Sequence, residues 1–157
     1  MTNLKETSMK AYFKEHLTSI FNKLEIPLHF NSDSEIFSIV ISKDNHADSI
    51  ASWYRDDINV IIFFCVIQTQ LTPEDCEKIS LPLMILNETL VFGNIGITKS
   101  VNEGKWIVVY QHSLLYERAD GFLVTEEEIK EFLSYASYIL PNIHEQVEKL
   151  LVSQSHV

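Results

Sequence analysis

Apolar residues recur at steps of three and four in three parts of the chain, the spacing that places them on one face of an α-helix. The first predicted helix runs from about Leu4 to Leu24 and ends before Pro27, because the residue before a proline avoids the helical conformation. Its stripe contains Phe13, Leu17, Ile20 and Leu24. The last predicted helix runs from Thr125 to Leu151. Its stripe contains Ile129, Phe132, Leu133, Ala136, Leu140, Ile143, Val147, Leu150 and Leu151.

The second predicted helix lies between these two and opens with a capping box. Thr72 suits the N-cap, Pro73 the first helical position, and Asp75 the position whose side chain returns to the cap. The stripe that follows contains Cys76, Ile79, Leu83, Leu86 and Leu90. Because Pro82 interrupts this stripe, we expect a short first turn, then the main helix, and an end at Gly93.

Apolar alternation and one continuous apolar run predict β-strands before and after the second helix. The predicted strands cover residues 28–30, 37–42, 50–54, 59–67, 92–97 and 106–116. The run from Val60 to Ile67 has no polar alternation, which is typical of a central strand covered on both faces. Asn102-Glu103-Gly104 is typical of a hairpin turn between the last two strands.

The resulting order is helix, three or four strands, helix, two strands, helix. One antiparallel sheet with helices on one face buries every stripe, so we expect an α+β two-layer sandwich. With no internal repeat and no linker, residues 1–157 are expected to form a single domain. Pro141 removes a backbone donor from the final helix, so we expect a kink or break near Ser137 to Leu140.

Charge narrows the range of partners. The chain has 12 basic and 22 acidic residues and a formal net charge of −10, which disfavours nucleic acid and anionic membranes as partners. Neither a signal peptide nor an apolar stretch long enough to span a bilayer is recognisable. Cys65 and Cys76 are therefore expected to be reduced thiols in a cytoplasmic protein.

The sequence contains few residue patterns that indicate catalysis or ligand binding. The six histidines have no metal-ligand spacing, and no nucleotide-binding or hydrolase motif occurs, so we expect no catalytic, cofactor or metal site. His112 and Ser113 adjoin in a predicted strand, but neighbouring side chains of a strand point to opposite faces and cannot act as a base and its nucleophile. An enzyme would need a polar cleft that gathers acidic groups around His112.

One stretch of the chain resembles a known superfamily. Leu86-Asn87, then Phe92-Gly93 leading into two strands and a long helix, resembles the corresponding half of the type III secretion chaperone-like proteins. Class I secretion chaperones and YbjN-like regulators share this arrangement. The resemblance covers nearly the whole chain in the order of elements, and in motifs it covers residues from about Leu83 to Leu151.

This resemblance implies a non-catalytic homodimer that binds an extended segment of a partner protein, such as a secreted effector or a regulatory protein. By this resemblance, the first helix would contact the partner through Phe13, Leu17 and Ile20. The second helix would form the dimer through Leu83, Leu86 and Leu90. Each of the six is equally well explained as a core residue.

Three functions remain open at this stage. The first is a protein-binding module like a secretion chaperone, and the second is a YbjN-like regulatory or orphan domain without an effector client. The third is a small enzyme with an unrecognised cleft. Exposed aromatic residues on a sheet with one helix-free face favour protein binding, because such residues are enriched at protein interfaces.

Overall fold

The computed structural model describes residues 2–43, 46–100 and 104–152. Its nine elements are α1 (Thr2–Lys23), β1 (Leu28–Asn31), β2 (Ile36–Lys43), β3 (His46–Arg55), β4 (Val60–Leu71), α2 (Pro73–Asn87), β5 (Asn94–Lys99), β6 (Trp106–Leu115) and α3 (Glu126–Val152). This order confirms the predicted α+β class, with four strands in the first block. Residues 102 and 103 of the predicted hairpin turn lie outside the described residues.

All six strands form one antiparallel sheet in the order β1-β2-β3-β4-β6-β5. The first four strands follow one another as a meander, and α2 carries the chain across to the far edge, where β5 and β6 form a hairpin. A bulge near Ile67 breaks the register between β4 and β6. The continuous apolar run of β4 thus lies between β3 and β6, as a central strand should.

Side chains alternate across the sheet, so its two faces have different compositions. One face buries large side chains such as Ile39, Ile50, Phe63 and Tyr110 against the stripes of the three helices. The other face, which we call the open face, carries residues such as Val40, Ala51, Phe64 and Val109. The helices therefore pack on one side of the sheet, as the sequence predicts.

Both helix-internal prolines lie within continuous helices. α2 runs unbroken through Pro82, and its N-terminus has the predicted capping box, with Asp75 N donating to Thr72 Oγ1 at 3.0 Å. α3 runs through Pro141 as a single helix. Residues on both sides of Pro141 are buried in the same core, which holds both halves of the helix on the sheet despite the missing hydrogen bond, so the helix does not break near Ser137 to Leu140. The predicted split of α2 is wrong, because its first turn and its main part share one buried face.

The connection from α2 to β5 explains the Leu86-Asn87 and Phe92-Gly93 motif. α2 ends at Asn87, and not at Gly93 as predicted; the Asn87 amide group bonds both N and O of Ile95, at 2.6 and 2.7 Å. Tyr110 donates its hydroxyl to Phe92 O at 2.7 Å. Gly93 has φ +77°, and a Cβ there would lie 2.7 Å from Gln111 O. The motif thus joins the second helix to the last hairpin through hydrogen bonds and close packing.

Among the described residues, no helix is both long enough and apolar enough to cross a membrane. Cys65, which is buried, and Cys76, which is partly exposed, are not joined in a disulfide.

Candidate partner-binding surfaces

A groove of about 660 Å³ opens beside α1 where β1 turns into β2. Its lining residues are Phe13, Lys14, Phe30, Ser32, Ser34, Glu35, Ile36, Phe37, Trp53 and Tyr54, and we call it the aromatic groove. Five of the ten carry aromatic rings. Phe13 forms the floor, with its ring 4.9 Å from Tyr54 and 5.9 Å from Phe37. A concave, largely apolar surface of this kind can bind apolar side chains of another molecule.

Polar groups surround the aromatic groove on its outer side. Lys14 Nζ lies 4.1 Å from the centre of the Phe30 ring, which is a cation–π geometry. The β1–β2 turn supplies Ser32, Ser34 and Glu35, and Asn31 Oδ1 accepts the backbone N of Asp33 at 2.9 Å, which holds that turn in shape. The groove thus combines an apolar floor with hydroxyl and charged groups, as protein-binding clefts do.

The three partner-binding residues predicted on α1 differ in position. Phe13 lies at the floor of the aromatic groove, where it is nearly buried. Leu17 and Ile20 are buried in the core under α1 and line none of the described grooves. The groove adds Phe30 and Trp53, which sequence reasoning did not assign to a site. No periodicity could have found them, since β1, β3 and α1 meet only through the tertiary fold.

The three dimer residues predicted on α2 are core residues in the monomer. Leu83 is buried, and Leu86 and Leu90 pack partly against the core. The opposite side of α2 exposes three other apolar side chains, at least 59% of each: Leu81, Met84 and Ile85. These three share one face because they stand three and four positions apart. These three residues can be recognised in the sequence as apolar positions outside the stripe predicted for the second helix.

His112 lies in an aromatic environment on the helix side of the sheet. Its ring stacks on Phe132 at 4.7 Å and meets the edge of Phe92 at 5.6 Å. Burial lowers the pKa of His112, and its Nε2 has no hydrogen-bond partner among the residues that the structure describes. The enzyme hypothesis required acidic groups around this histidine, and the structure places aromatic rings there instead.

A polar cluster joins β3, β4 and α3 inside the molecule. The side chain of Asp48 is buried, and its Oδ1 lies 2.7 Å from His144 Nε2. The same oxygen accepts a weak hydrogen bond from Cys65 Sγ at 3.7 Å. Burial and the neighbouring carboxylate raise the pKa of Cys65 to about 12. A thiol with so high a pKa is a poor nucleophile, and it bonds the carboxylate instead of the imidazole. The cluster therefore has the geometry of a structural link, without that of a Cys-His catalytic pair.

Within the described ranges, no three His, Cys, Asp or Glu side chains converge on a common point where a metal ion could bind.

No family model matches the chain, and no curated protein matches its sequence. Its fold matches a solved structure, that of YbjN from E. coli, described as "a putative transcription regulator". The TM-score is 0.60, and the match covers 90% of this chain and 91% of that chain. At 13% sequence identity, the likeness is one of fold. It confirms the predicted YbjN-like fold, whereas the features specific to secretion chaperones stay a prediction.

Proposed function

We propose that this protein is a non-catalytic protein-binding module, which forms a homodimer and binds an extended segment of a partner protein in the aromatic groove. The observation that supports this most strongly is the groove itself. Its five aromatic rings stand beside the first helix, where Phe13 was predicted to contact a partner. Aromatic residues are enriched at the centres of protein interfaces because they bury large areas at low entropic cost.

The groove suits a protein segment better than a small charged ligand. Its floor is apolar, and Lys14 is the only basic side chain among the described residues that line it. The net charge of −10 also disfavours nucleic acid and anionic membranes as partners. The two free thiols, Cys65 and Cys76, are compatible with a reducing compartment such as the cytoplasm.

A regulatory domain is the second candidate, and the fold shared with YbjN favours it. Such a domain would use the same groove for a regulatory protein and would have no secreted client. The two candidates differ in the partner and share the binding site. A gene for a secreted protein beside the gene for this chain would favour the chaperone-like function.

The groove can be tested with a random peptide display library selected against the purified full-length protein. We expect peptides with an aromatic or aliphatic anchor to be enriched, because only such side chains match the apolar floor. Binding is then measured by isothermal titration calorimetry, which does not depend on Trp53, a residue that lines the groove and also lies on the open face of the sheet. Phe30→Asp should weaken binding of the selected peptides by roughly tenfold to a hundredfold, as expected for an aromatic residue at the centre of an interface.

The matched control is Phe122→Asp, which makes the same change at an exposed phenylalanine outside the groove. This control should bind the selected peptides as the wild type does. If no peptide is enriched, or if both variants lose binding equally, the aromatic groove is not the binding site.

A further inference from the structure

We propose that a second copy of this chain covers the open face of the sheet, so that two molecules stack sheet against sheet around a two-fold axis. This inference rests on the homodimer in the proposed function and assigns its interface. The exposed apolar residues of this face are Val40 (58% exposed), Val66 (42%) and Leu115 (50%). The rings of Trp53 and Phe64 lie between them, with centroids 5.9 Å apart.

Charge distribution provides the first argument. Asp, Glu, Lys and Arg make up 22% of the chain. On the open face of the described strands, however, Arg55 is the only residue of these four types. Arg55 stands at the end of β3 and pairs with Asp57 at 2.6 Å. A solvated face of an antiparallel sheet is ordinarily polar, whereas depletion of charge marks the core of protein interfaces.

The charge also indicates which partner fits. The molecule has a net charge of −10, so two copies repel each other over most orientations. The described strands place no carboxylate on the open face, and the nearby Asp57 is paired with Arg55, so two copies can meet there without opposing carboxylates. Its serines and its glutamine, such as Ser49, Gln111 and Ser113, can form hydrogen bonds across such an interface. A basic partner would be expected to contact an acidic surface instead.

The area of the open face is close to the area that one molecule buries in a standard protein interface. Six strands about 4.8 Å apart and about eight residues long, at about 3.3 Å per residue, give a face of roughly 750 Å² on each molecule. A standard interface buries about 800 Å² on each partner. Stacked sheets pack about 10 Å apart with interdigitating side chains, and the face offers both large residues, such as Trp53, and a glycine, Gly96.

The exposed side of α2 is a poorer interface for two copies. A 15-residue helix presents only about 220 Å² along one side. Glu77 lies one turn before Leu81, and Glu88 lies one turn after Met84, both on the exposed side of the helix. If two α2 helices packed antiparallel, Glu77 of one copy would lie near Glu88 of the other. The α2 surface is therefore the natural control for the open face.

The test compares two double variants that add the same charge to exposed apolar residues. Val40→Glu with Val66→Glu changes the open face, and Leu81→Glu with Met84→Glu changes α2. Sedimentation equilibrium should give the wild type a mass of twice 18.1 kDa. We expect the open-face variant to dimerise on the order of a hundredfold more weakly, because a two-fold interface contains each substitution twice. The α2 variant should stay within about threefold of the wild type.

Circular dichroism must show both variants folded. Gly96→Glu is a further open-face variant, since a Cβ at this glycine meets no atom within 4 Å, and it should also weaken the dimer. A monomeric wild type overturns the inference, and so does dissociation caused by the α2 variant alone. Peptide binding in the groove is measured separately. A monomer that still binds the selected peptides therefore overturns this interface and leaves the partner-binding function intact.

Discussion

At the scale of single residues, two glycines of the last hairpin differ sharply in their surroundings. A Cβ on Gly93 would lie 2.7 Å from Gln111 O, and the backbone there has φ +77°. A Cβ on Gly96 would meet nothing within 4 Å. The first glycine is therefore required by the fold, whereas the second is not.

Gly93→Ala should lower the free energy of unfolding by at least about 2 kcal/mol, because it combines a strained left-handed backbone with a clash against backbone. Gly96→Ala should change it by less than about 0.5 kcal/mol. Urea unfolding followed by circular dichroism measures both. Equal effects of the two substitutions would contradict the packing described around Gly93.

His112 is a second residue whose environment makes a measurable prediction. Burial lowers its pKa in the folded state below 6.5, so the unfolded chain binds a proton at this site before the folded chain does. The part of the folding stability that depends on neutral His112 is fully present above pH 6.5. It is lost as the pH falls from 6.5 towards the lower pKa of the folded state. Stability should therefore decrease with acidification through this window by up to about 1.4 kcal/mol per pH unit from this group.

His112→Phe should remove this part of the pH dependence, because a phenyl ring does not titrate. The measurement is the difference in unfolding free energy between wild type and variant from pH 7 down to about pH 5. The control is His29→Phe, at an exposed histidine of β1. If both variants change the pH profile equally, burial of His112 is not its cause.

At the scale of elements, the link between Asp48 and His144 joins the second half of α3 to β3. A hydrogen bond to a buried carboxylate contributes about 1.5–3 kcal/mol. His144→Ala should therefore lower the free energy of unfolding by roughly that amount. Glu145→Ala is the matched control on the same helix turn. Its exposed pair with Lys149, at 2.9 Å, should contribute less than about 0.5 kcal/mol.

Thermal and urea unfolding of these two variants provides the comparison. A His144 variant as stable as the Glu145 variant would mean that the core packing of α3 alone holds the helix on the sheet. The helix passes through Pro141 without a break, which makes this link and the buried residues near it the supports of its second half.

At the scale of the whole molecule, the two cysteines should report on global unfolding. Cys65 is buried and its pKa is raised to about 12, whereas Cys76 is partly exposed near the start of α2. A thiol reagent should therefore label one cysteine in the native protein and both in the unfolded chain. Cys76→Ser should abolish native labelling. Fast native labelling of that variant would show that the sheet core opens locally.

The sequence predicted the elements well because their signals are local. Each amphipathic stripe and each alternation depends only on residues within a few positions of one another, so the class and the order of elements followed from the pattern. The errors at Pro82 and Gly93 arose where distant contacts override local preference. Packing of α2 on the sheet keeps that helix continuous through its proline, and the close approach of Gln111, 18 positions later in the chain, requires the glycine.

The candidate sites could be predicted only in part. Phe13 was assigned to a partner surface through a family resemblance and lies at the floor of the aromatic groove. Phe30 and Trp53 come from other strands and join it only when the sheet forms. Leu83 was assigned to a dimer, yet it is buried, because one stripe cannot tell a core face from an interface face.

The sequence by itself determined the helices, most of the strands, the capping box at Thr72 and the acidic character of the chain. These depend on neighbouring residues and on composition. Only the tertiary structure decided which apolar residues are covered, that Asp48 meets His144, and that the open face is nearly free of charge. Those properties depend on residues far apart in the chain, which come together only when the strands pair and the helices pack on the sheet.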